Sequence, residues 1–145
     1  MKILYISYDG MTDPLGQSQV IPYLIGLSTN HQITIISCEK KERYSEQKDY
    51  IQSLLSNKGI QWIPISYSEL PSIFSKQWNI TRIRNEAVTF CKNEQPSVVH
   101  CRSYMAALVG LFLKKKFNIK FIFDMRGFWA DERIDGNIWS KTKFI

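Results

Sequence analysis

Short apolar runs alternate with longer amphipathic segments along the chain, and this alternation predicts a parallel β-sheet. Runs rich in β-branched and aromatic side chains are typical of buried strands, whereas apolar positions that recur every three or four residues are typical of helices. Strands and helices that alternate in this way form right-handed βαβ units. We therefore predict an α/β fold, a Rossmann-like open parallel sheet with helices on both faces. The predicted strands are 2–7, 31–38, 60–66, 97–101 and 120–124, and the predicted helices are 18–29, 44–57, 79–95 and 104–116.

Individual residues define the expected ends of several elements. Pro22 is tolerated in the first turn of a helix, where its missing N–H costs little. Gly59 suits the end of the second helix, and Asn79 is a good N-cap for the third. The segment 67–77 shows no clear period and is expected to be irregular. Pro64 is expected at a sheet edge or late in the third strand, because proline cannot donate to a ladder.

Length and composition are those of one globular domain. The chain has 145 residues, of which 44% are hydrophobic and 22% are charged, which is enough for one core and excludes disorder. It has no apolar run long enough to span a membrane and no signal-peptide layout, so we expect a cytoplasmic protein. Cys38, Cys91 and Cys101 lie far apart in apolar contexts, so buried free thiols are expected, and no Cys/His spacing resembles a metal site.

The net charge of +6 is compatible with several classes of anionic partner and does not identify one of them. A basic chain can bind nucleic acid, anionic membrane or phosphorylated ligands, and a solvated basic surface is the commonest explanation. The basic residues are too scattered for a nucleic-acid site, and no recognition motif is present, so no nucleic-acid partner is expected. The segment 67–84 interleaves aromatic, aliphatic and basic residues, which is compatible with docking at an anionic membrane.

The loop between the first strand and the first helix is a candidate binding edge. Ligands of open α/β sheets bind at the carboxyl ends of strands, where helix N-termini offer free N–H groups to anions. The loop carries Gly10 and Gly16, but it contains neither the dinucleotide fingerprint nor a P-loop. Gly16 is therefore either an anion contact or a turn residue. Glu39 occupies the place of a ribose-binding acid, yet without the glycines we expect a solvated loop acid.

Polar residues follow the fourth and fifth strands. His100 and Arg102 are two positions apart, so both can point to the same side and hold a hydroxyl or a phosphate, although a satisfied histidine beside a surface arginine is an equal alternative. Asp124 follows an apolar run and should reach the rim partly desolvated, where it can position a hydroxyl or accept a proton. Arg126 could pair with Asp124, and Gly127 would let the backbone approach a ligand.

Beyond Gly127, acidic and basic residues alternate with aromatic ones. Asp131 lies in this stretch, close to Phe128 and Trp129. Such a mixture is typical of carbohydrate contacts and also of ordinary salt-bridged loops. The chain then reaches Ile145 without a recognisable final element, so we expect it to be part of a longer protein.

Four segments together resemble a known family. They are MKILYIS at 1–7, DPLGQSQVIPYL at 13–24, PSVVHCR at 96–102 and FDMRGFWADER at 123–133. In combination they resemble the N-terminal half of a bacterial GT-B glycosyltransferase of the large retaining family four, and the resemblance covers essentially the whole chain.

The resemblance implies two Rossmann-like domains that face each other across a cleft. Residues 1–145 would form the N-terminal, acceptor-side domain, in incomplete form. The C-terminal domain, which binds the nucleotide-sugar donor, is absent from this chain, so the chain alone should not catalyse transfer. Gly16 and Gln17 would lie near the donor diphosphate, and Asp124 would lie near the reacting centre. The other expected substrate-binding residues are His100, Arg102, Arg126, Gly127 and Asp131.

The activity implied is transfer of a hexose from a nucleotide-diphosphate sugar with retention of configuration. The acceptor would be a glycan or a lipid-linked sugar in surface polysaccharide synthesis, at the inner face of the cell membrane. No metal and no cofactor besides the donor substrate are expected. Two alternatives remain open. One is a non-catalytic binding subunit that needs a donor-binding partner chain, and the other is a nucleotide- or flavin-binding domain.

Overall fold

The computed structural model, which describes residues 1–68 and 72–127, contains a five-stranded parallel sheet. The strand order is β3-β2-β1-β4-β5, and each neighbouring pair is parallel. The predicted α/β fold is confirmed, and the strand ends agree with the predictions to within one residue. The strands are β1 (Lys2–Ser7), β2 (Gln32–Glu39), β3 (Gln61–Ser66), β4 (Val98–Arg102) and β5 (Lys120–Asp124), and the helices are α1 (Ile21–Ser28), α2 (Lys41–Ser56), α3 (Ser72–Glu94) and α4 (Ser103–Phe117).

Helices cover both faces of the sheet, and β1 serves both layers. Ile3 and Tyr5 pack in one core with α1 and α2, whereas Leu4 and Ile6 pack in the other with α3 and α4. Successive side chains of a strand point to opposite faces, and a parallel sheet is stable only when both faces are covered. The buried helix residues include Ile21, Leu24, Ile51 and Leu55 in the first layer and Ile83, Ala87, Ala106 and Val109 in the second.

The first helix begins earlier than predicted. A π-helical turn, Gly16–Val20, runs directly into α1, and Pro22 lies in the first turn of α1 as expected. The helical backbone therefore starts inside the loop that follows β1, which brings Gln17 and Gln19 close to the carboxyl edge of the sheet. Pro64 lies in β3, the strand at one edge of the sheet, which confirms the prediction for that proline.

The third helix corrects the prediction most clearly. It begins at Ser72, so 72–77 is helical rather than irregular, and Asn79 lies inside α3 instead of capping it. The buried side chain of Asn79 serves another part of the chain. Its Oδ1 accepts a hydrogen bond from the Ser68 amide at 3.0 Å, and its Nδ2 donates to Tyr8 Oη at 3.4 Å. Asn79, a residue type that often caps helices, therefore makes a tertiary contact here, and the local sequence does not reveal it.

The fourth helix lies unusually close to the sheet at Gly110. A Cβ at that position would overlap the Phe121 ring and would come within 2.5 Å of Cys101 Sγ. The helix ends at Asn118, whose φ of 54° is the left-handed conformation that commonly terminates helices. Lys114, Lys115 and Lys116 lie in its last turn, where they suit the negative end of the helix dipole.

The three cysteines are buried free thiols, as predicted. Burial raises the pKa of Cys38 and Cys101 to about 12 and that of Cys91 to about 11. Within the described ranges, none of the helices combines the length and the apolar character needed to cross a membrane. Asp131 and the aromatic residues near it lie outside the described residues, so the expectation for Asp131 stays a prediction.

Candidate functional site

The strand order creates a crevice at the carboxyl edge of the sheet. From β1 the chain proceeds to β2 and β3 on one side, and it then crosses over to β4 and β5 on the other. The point between β1 and β4, where the order reverses, is where open α/β sheets bind ligands. In register, Tyr5 lies opposite His100 and Ser7 opposite Arg102 across this point.

A cavity of about 420 Å³ lies at this crevice. Its volume is in the range of pockets that hold a small molecule. It opens on the sheet face that α1 and α2 cover elsewhere, next to β4 and β5. His100 and Arg102 both line the cavity, as their spacing predicts. The lining residues are Gln19, Tyr23, His100, Arg102, Ile122 and Asp124.

Arg102 is the centre of the polar network in this cavity. Its Nη2 donates to Gln19 Oε1 at 2.7 Å, and its Nη1 lies 3.6 Å from Asp124 Oδ2. The side chain of Arg102 is only 9% exposed, whereas that of Asp124 is 35% exposed. A guanidinium can donate in several directions within one plane, so Arg102 orients both partners at once. Asp124 is therefore a partly exposed carboxylate that the more buried Arg102 holds in place.

Arg126 occupies a different place from the one expected. Its Nη1 lies 3.8 Å from Asp9 Oδ2, and its Nη2 donates to Gln19 Oε1 at 3.3 Å. The partner of Asp124 is Arg102, because β4 and β5 are adjacent and Arg102 is directly opposite Asp124 in register. Periodicity along one strand could not show this cross-strand pairing.

Charge at the site is balanced. Two guanidinium groups, of Arg102 and Arg126, face two carboxylates, of Asp9 and Asp124. A bare phosphate would meet a carboxylate beside each arginine, so the local charge favours a neutral ligand with many hydroxyls over a free anion. Such a ligand can donate to the carboxylates and accept from the arginines.

His100 lies between two tyrosine rings. Its ring centroid is 4.9 Å from that of Tyr5 and 5.9 Å from that of Tyr23, with edge-on geometry in both pairs. Burial lowers the pKa of His100, Arg102 adds to the effect, and the Asp124 carboxylate opposes it. Burial also raises the pKa of Tyr5 to about 12. The imidazole is therefore neutral at pH 7 and can both donate and accept a hydrogen bond.

The loop after β1 already holds an anion of its own. Glu39, which ends β2, is 1% exposed. Its carboxylate accepts hydrogen bonds from the Met11 amide at 2.7 Å, the Thr12 amide at 3.1 Å, Thr12 Oγ1 at 2.6 Å and Ser37 Oγ at 2.5 Å. The expectation of a solvated loop acid is wrong, because donors from a distant part of the sequence surround this carboxylate.

Gly16 and Gln17 take part in building this loop. A Cβ at Gly16 would overlap the Gly10 carbonyl oxygen, and it would lie 2.8 Å from Met11 Cα. The Gln17 amide donates to the Asp13 carbonyl at 3.0 Å, and its side-chain Nε2 donates to the Thr12 carbonyl at 3.0 Å. These contacts give both residues a packing role. Their contact with a donor diphosphate stays a prediction.

Several residues of the site were not among the candidates. Gln19 and Tyr23 are one turn apart on the first helix and line the cavity together, and their spacing of four residues was the available signal. Gln19 accepts from both arginines. Tyr104, at the start of α4, donates to the Gly127 carbonyl at 3.1 Å and thus ties down the backbone after β5. No local pattern marks that contact.

A larger cavity, of about 640 Å³, lies at the opposite edge of the sheet. It lies where β4 and β5 begin and where α3 and α4 end, and its lining includes Gln95 and Asn118. Helix C-termini present carbonyl groups and the negative end of the dipole there. It lacks a cluster of charged and aromatic groups comparable to that around Arg102, so we place the functional site at the carboxyl edge.

The fold is shared with several solved structures. No protein-family model and no curated protein sequence matches the chain. The C-terminal domain of a hydrogenase from Pyrococcus furiosus matches with a TM-score of 0.62 at 11% identity, over 86% of this chain and 91% of that one. A calicheamicin glycosyltransferase matches with 0.61 at 13%, over 99% and 38%. A spinosyn rhamnosyltransferase in complex with thymidine diphosphate matches with 0.50 at 14%, over 85% and 34%.

At these identities the similarity shows the fold and leaves the activity open. A Rossmann-like sheet supports many unrelated functions, and the matched structures also include a deacetylase of teicoplanin biosynthesis. This chain spans about a third of the length of the glycosyltransferases it matches. The α/β fold is thus shown, and the assignment to a glycosyltransferase family depends on the sequence motifs and on the chemistry of the site.

Proposed function

We propose that this chain is the acceptor-side domain of a glycosyltransferase of the retaining GT-B type. The observation that carries the proposal is the cavity at the β1–β4 crevice, which brings Asp124, Arg102, His100 and Tyr23 around one small-molecule volume. A sugar offers hydroxyls to the charged groups and an apolar ring face to an aromatic side chain. Glycosyltransferases among the matched structures support the same reading.

Each cavity residue has a role in holding the acceptor. Asp124 accepts a hydrogen bond from the hydroxyl that attacks the donor, and Arg102 keeps that carboxylate oriented. Neutral His100 and Gln19 bind further hydroxyls, and Tyr23, which is 48% exposed, offers its ring to the sugar. Arg126 contacts both Gln19 and Asp9, and so links these two side chains at the edge of the cavity. We propose that Gly127 lies at the same pocket, and the binding role of Asp131 stays a prediction from the sequence.

The donor in this proposal is a nucleotide-diphosphate sugar held by a second domain. The acceptor oxygen forms a bond to the anomeric carbon as the bond from that carbon to the diphosphate breaks. A phosphate oxygen of the leaving diphosphate takes the acceptor proton, so Asp124 orients the hydroxyl rather than keeping its proton. Gly16 and Gln17 would lie near this diphosphate. We propose no metal and no further cofactor.

The acceptor is proposed to be a lipid-linked glycan of surface polysaccharide synthesis. Phe74 and Trp78 lie one turn apart on α3, and they are 73% and 54% exposed. Lys76 is also exposed and lies between them in sequence. Exposed aromatic side chains on a chain with a net charge of +6 suit the interface of an anionic membrane. We propose that the enzyme acts at the inner face of the cell membrane.

A transfer assay on the complete protein that contains this chain tests the proposal. Nucleotide-diphosphate sugars are offered with lipid-linked acceptors, and the anomeric configuration of the product is read by NMR. Asp124→Asn keeps the shape of the side chain and removes its charge, so turnover should fall at least about tenfold, equivalent to about 1.4 kcal/mol. Asp49→Asn, an exposed position on α2, is the matched control and should leave turnover unchanged.

Three outcomes would count against the proposal. Unchanged turnover in Asp124→Asn would remove the role of that carboxylate. Absence of transfer with every donor, together with co-purification of a donor-binding chain, would favour a non-catalytic subunit. Tight binding of a flavin or a free nucleotide by this domain alone would favour a cofactor-binding domain instead.

A further inference from the structure

Glu39 is a buried carboxylate that does not line the cavity. It is 1% exposed and accepts four hydrogen bonds from backbone and side-chain donors. Burial of a charge is costly unless hydrogen bonds satisfy it, so an arrangement with this many donors fixes the geometry of every group that takes part. The positions of those hydrogen-bond donors in the fold indicate which segments Glu39 holds together.

Three of the four donors belong to the loop that follows β1. They are the amides of Met11 and Thr12 and the Thr12 hydroxyl, which lie 27 or 28 positions away in sequence. The fourth is Ser37 Oγ, which itself accepts from Trp62 Nε1 at 2.8 Å. The network thus extends from β3 through β2 to the loop of β1. It holds the loop to the rigid part of the sheet.

From this loop the contacts continue to the cavity. Gly16 packs against the backbone of Gly10 and Met11, and Gln17 is bonded twice to the loop, through the carbonyls of Asp13 and Thr12. Gln19 follows in the same π-helical turn, and Tyr23 follows one turn later. Those two side chains line the cavity. The position of the helix start therefore decides where they lie.

We propose that Glu39 is a positioning residue, an internal anion that fixes the loop of residues 10–13 and thereby places Gln19 and Tyr23 against the acceptor. The amides of Met11 and Thr12 are the donors a ligand phosphate would otherwise take at such a loop. The Glu39 carboxylate already accepts hydrogen bonds from these two amides, so they are not free to bind the phosphates of the nucleotide sugar. The loop instead shapes the acceptor cavity. The acceptor part of this inference rests on the proposed function.

Two ion pairs strengthen the attachment of the same loop. The Asp13 carboxylate lies 3.1 Å from Lys40 Nζ and 3.4 Å from Arg43 Nε. Lys40 directly follows Glu39, and Arg43 lies in the first turn of α2. Both ends of the segment 11–13 are therefore held by the junction between β2 and α2. These ion pairs add to the attachment of the loop that the Glu39 hydrogen bonds provide.

The most discriminating variants change Thr12, because they leave Glu39 and the backbone intact. Thr12→Val keeps the shape of the side chain and removes the hydroxyl that donates to Glu39, whereas Thr12→Ser restores that donor. Glu39→Gln removes the charge and places a side-chain NH2 group among the existing hydrogen-bond donors. It therefore disrupts the hydrogen bonds between Glu39 and the loop more strongly than Thr12→Val does. Glu42→Gln, an exposed acid of α2, is the matched control.

The first measurement uses selectively 15N-labelled protein without substrate. In Thr12→Val and in Glu39→Gln we expect shifts of the Met11 and Thr12 amide signals and of the distant Gln19 side-chain amide. Thr12→Ser should return the Gln19 signal to its original position, and Glu42→Gln should not move it. If the loop signals move while the Gln19 signal stays in place, the proposal is overturned. Because no substrate is used, this result does not depend on the proposed activity.

The second measurement separates binding of the two substrates. In Thr12→Val the KM for the acceptor should rise at least about fivefold and by more than the KM for the donor, while kcat changes less than about twofold. Thr12→Ser should restore the acceptor KM. A fall in apparent kcat with the KM for the acceptor unchanged would indicate general loss of folded protein and would contradict a positioning role. If the unaltered protein transfers no sugar, the proposed function fails, and the labelling experiment alone decides the role of Glu39.

Discussion

Among single residues, His100 shows how burial and neighbouring charge determine the state of a side chain. It lies 7% exposed between Tyr5 and Tyr23, with Arg102 and Asp124 on its own face of the sheet. Burial and the Arg102 charge lower the pKa of His100, and the Asp124 charge only partly opposes them. The folded protein therefore keeps the imidazole neutral under conditions in which an unfolded chain would begin to protonate it.

This difference predicts how stability depends on pH. The unfolded state binds a proton on His100 near pH 6.5, whereas the folded state binds it only at a lower pH. Between these two values the unfolded state carries more protons, so the free energy of unfolding falls as the pH decreases below 6.5. His100→Gln should flatten this part of the curve. Urea unfolding between about pH 5 and pH 7.5 measures it.

His31→Gln is the natural control, because His31 is the other of the two histidines and lies outside the cavity. The comparison of the two variants therefore separates the effect of the cavity histidine from that of removing any histidine. An identical slope in His100→Gln and in the unaltered protein would mean that other groups cause the acid sensitivity. The prediction concerns the folded domain alone, so it does not require a known substrate.

At the scale of elements, the unit formed by the loop and the first helix depends on close packing at one glycine. A Cβ at Gly16 would overlap the Gly10 carbonyl oxygen and crowd Met11 Cα, and these are backbone atoms that cannot rotate away. Gly16→Ala should therefore lower the free energy of unfolding by about 1–3 kcal/mol. Thermal melting followed by circular dichroism measures the change.

Gly26 provides the matched control on the same helix. It lies exposed in α1, and a Cβ there would meet no atom within 4 Å. Gly26→Ala should stabilise the protein by about 0.5–1 kcal/mol, because alanine loses less backbone entropy in a helix. Equal melting temperatures for the two variants would contradict the packing role of Gly16.

These elements also show which features a sequence can reveal. The strands were predictable because their apolar runs reflect burial on both faces, and the place of His100 and Arg102 followed from the period of a strand. The start of α3 was missed because Asn79, a typical cap, bonds instead to Ser68 and Tyr8. The environment of Glu39 was missed for a similar reason, since its donors come from a distant loop. Contacts between distant segments leave no local pattern.

At the scale of the whole molecule, two surfaces lie on different parts of the fold. The cavity opens beside β4 and β5 on the face covered elsewhere by α1 and α2, whereas Phe74 and Trp78 project from α3 on the other face. The net charge of +6 adds a general attraction to anionic surfaces. A protein held by α3 would thus keep its cavity on the face that points away from the membrane.

Vesicle binding tests this arrangement. The double variant Phe74→Ser/Trp78→Ser should bind vesicles that contain phosphatidylglycerol at least about tenfold more weakly, because partial burial of two aromatic side chains contributes well over 1 kcal/mol. Tyr50→Ser is the matched control, since Tyr50 is 60% exposed but lies on α2, which covers the opposite face. Salt should weaken the binding of the unaltered protein, because charge contributes to it. If both variants bind equally, the attraction arises from the net charge alone, and α3 is not the membrane-binding element.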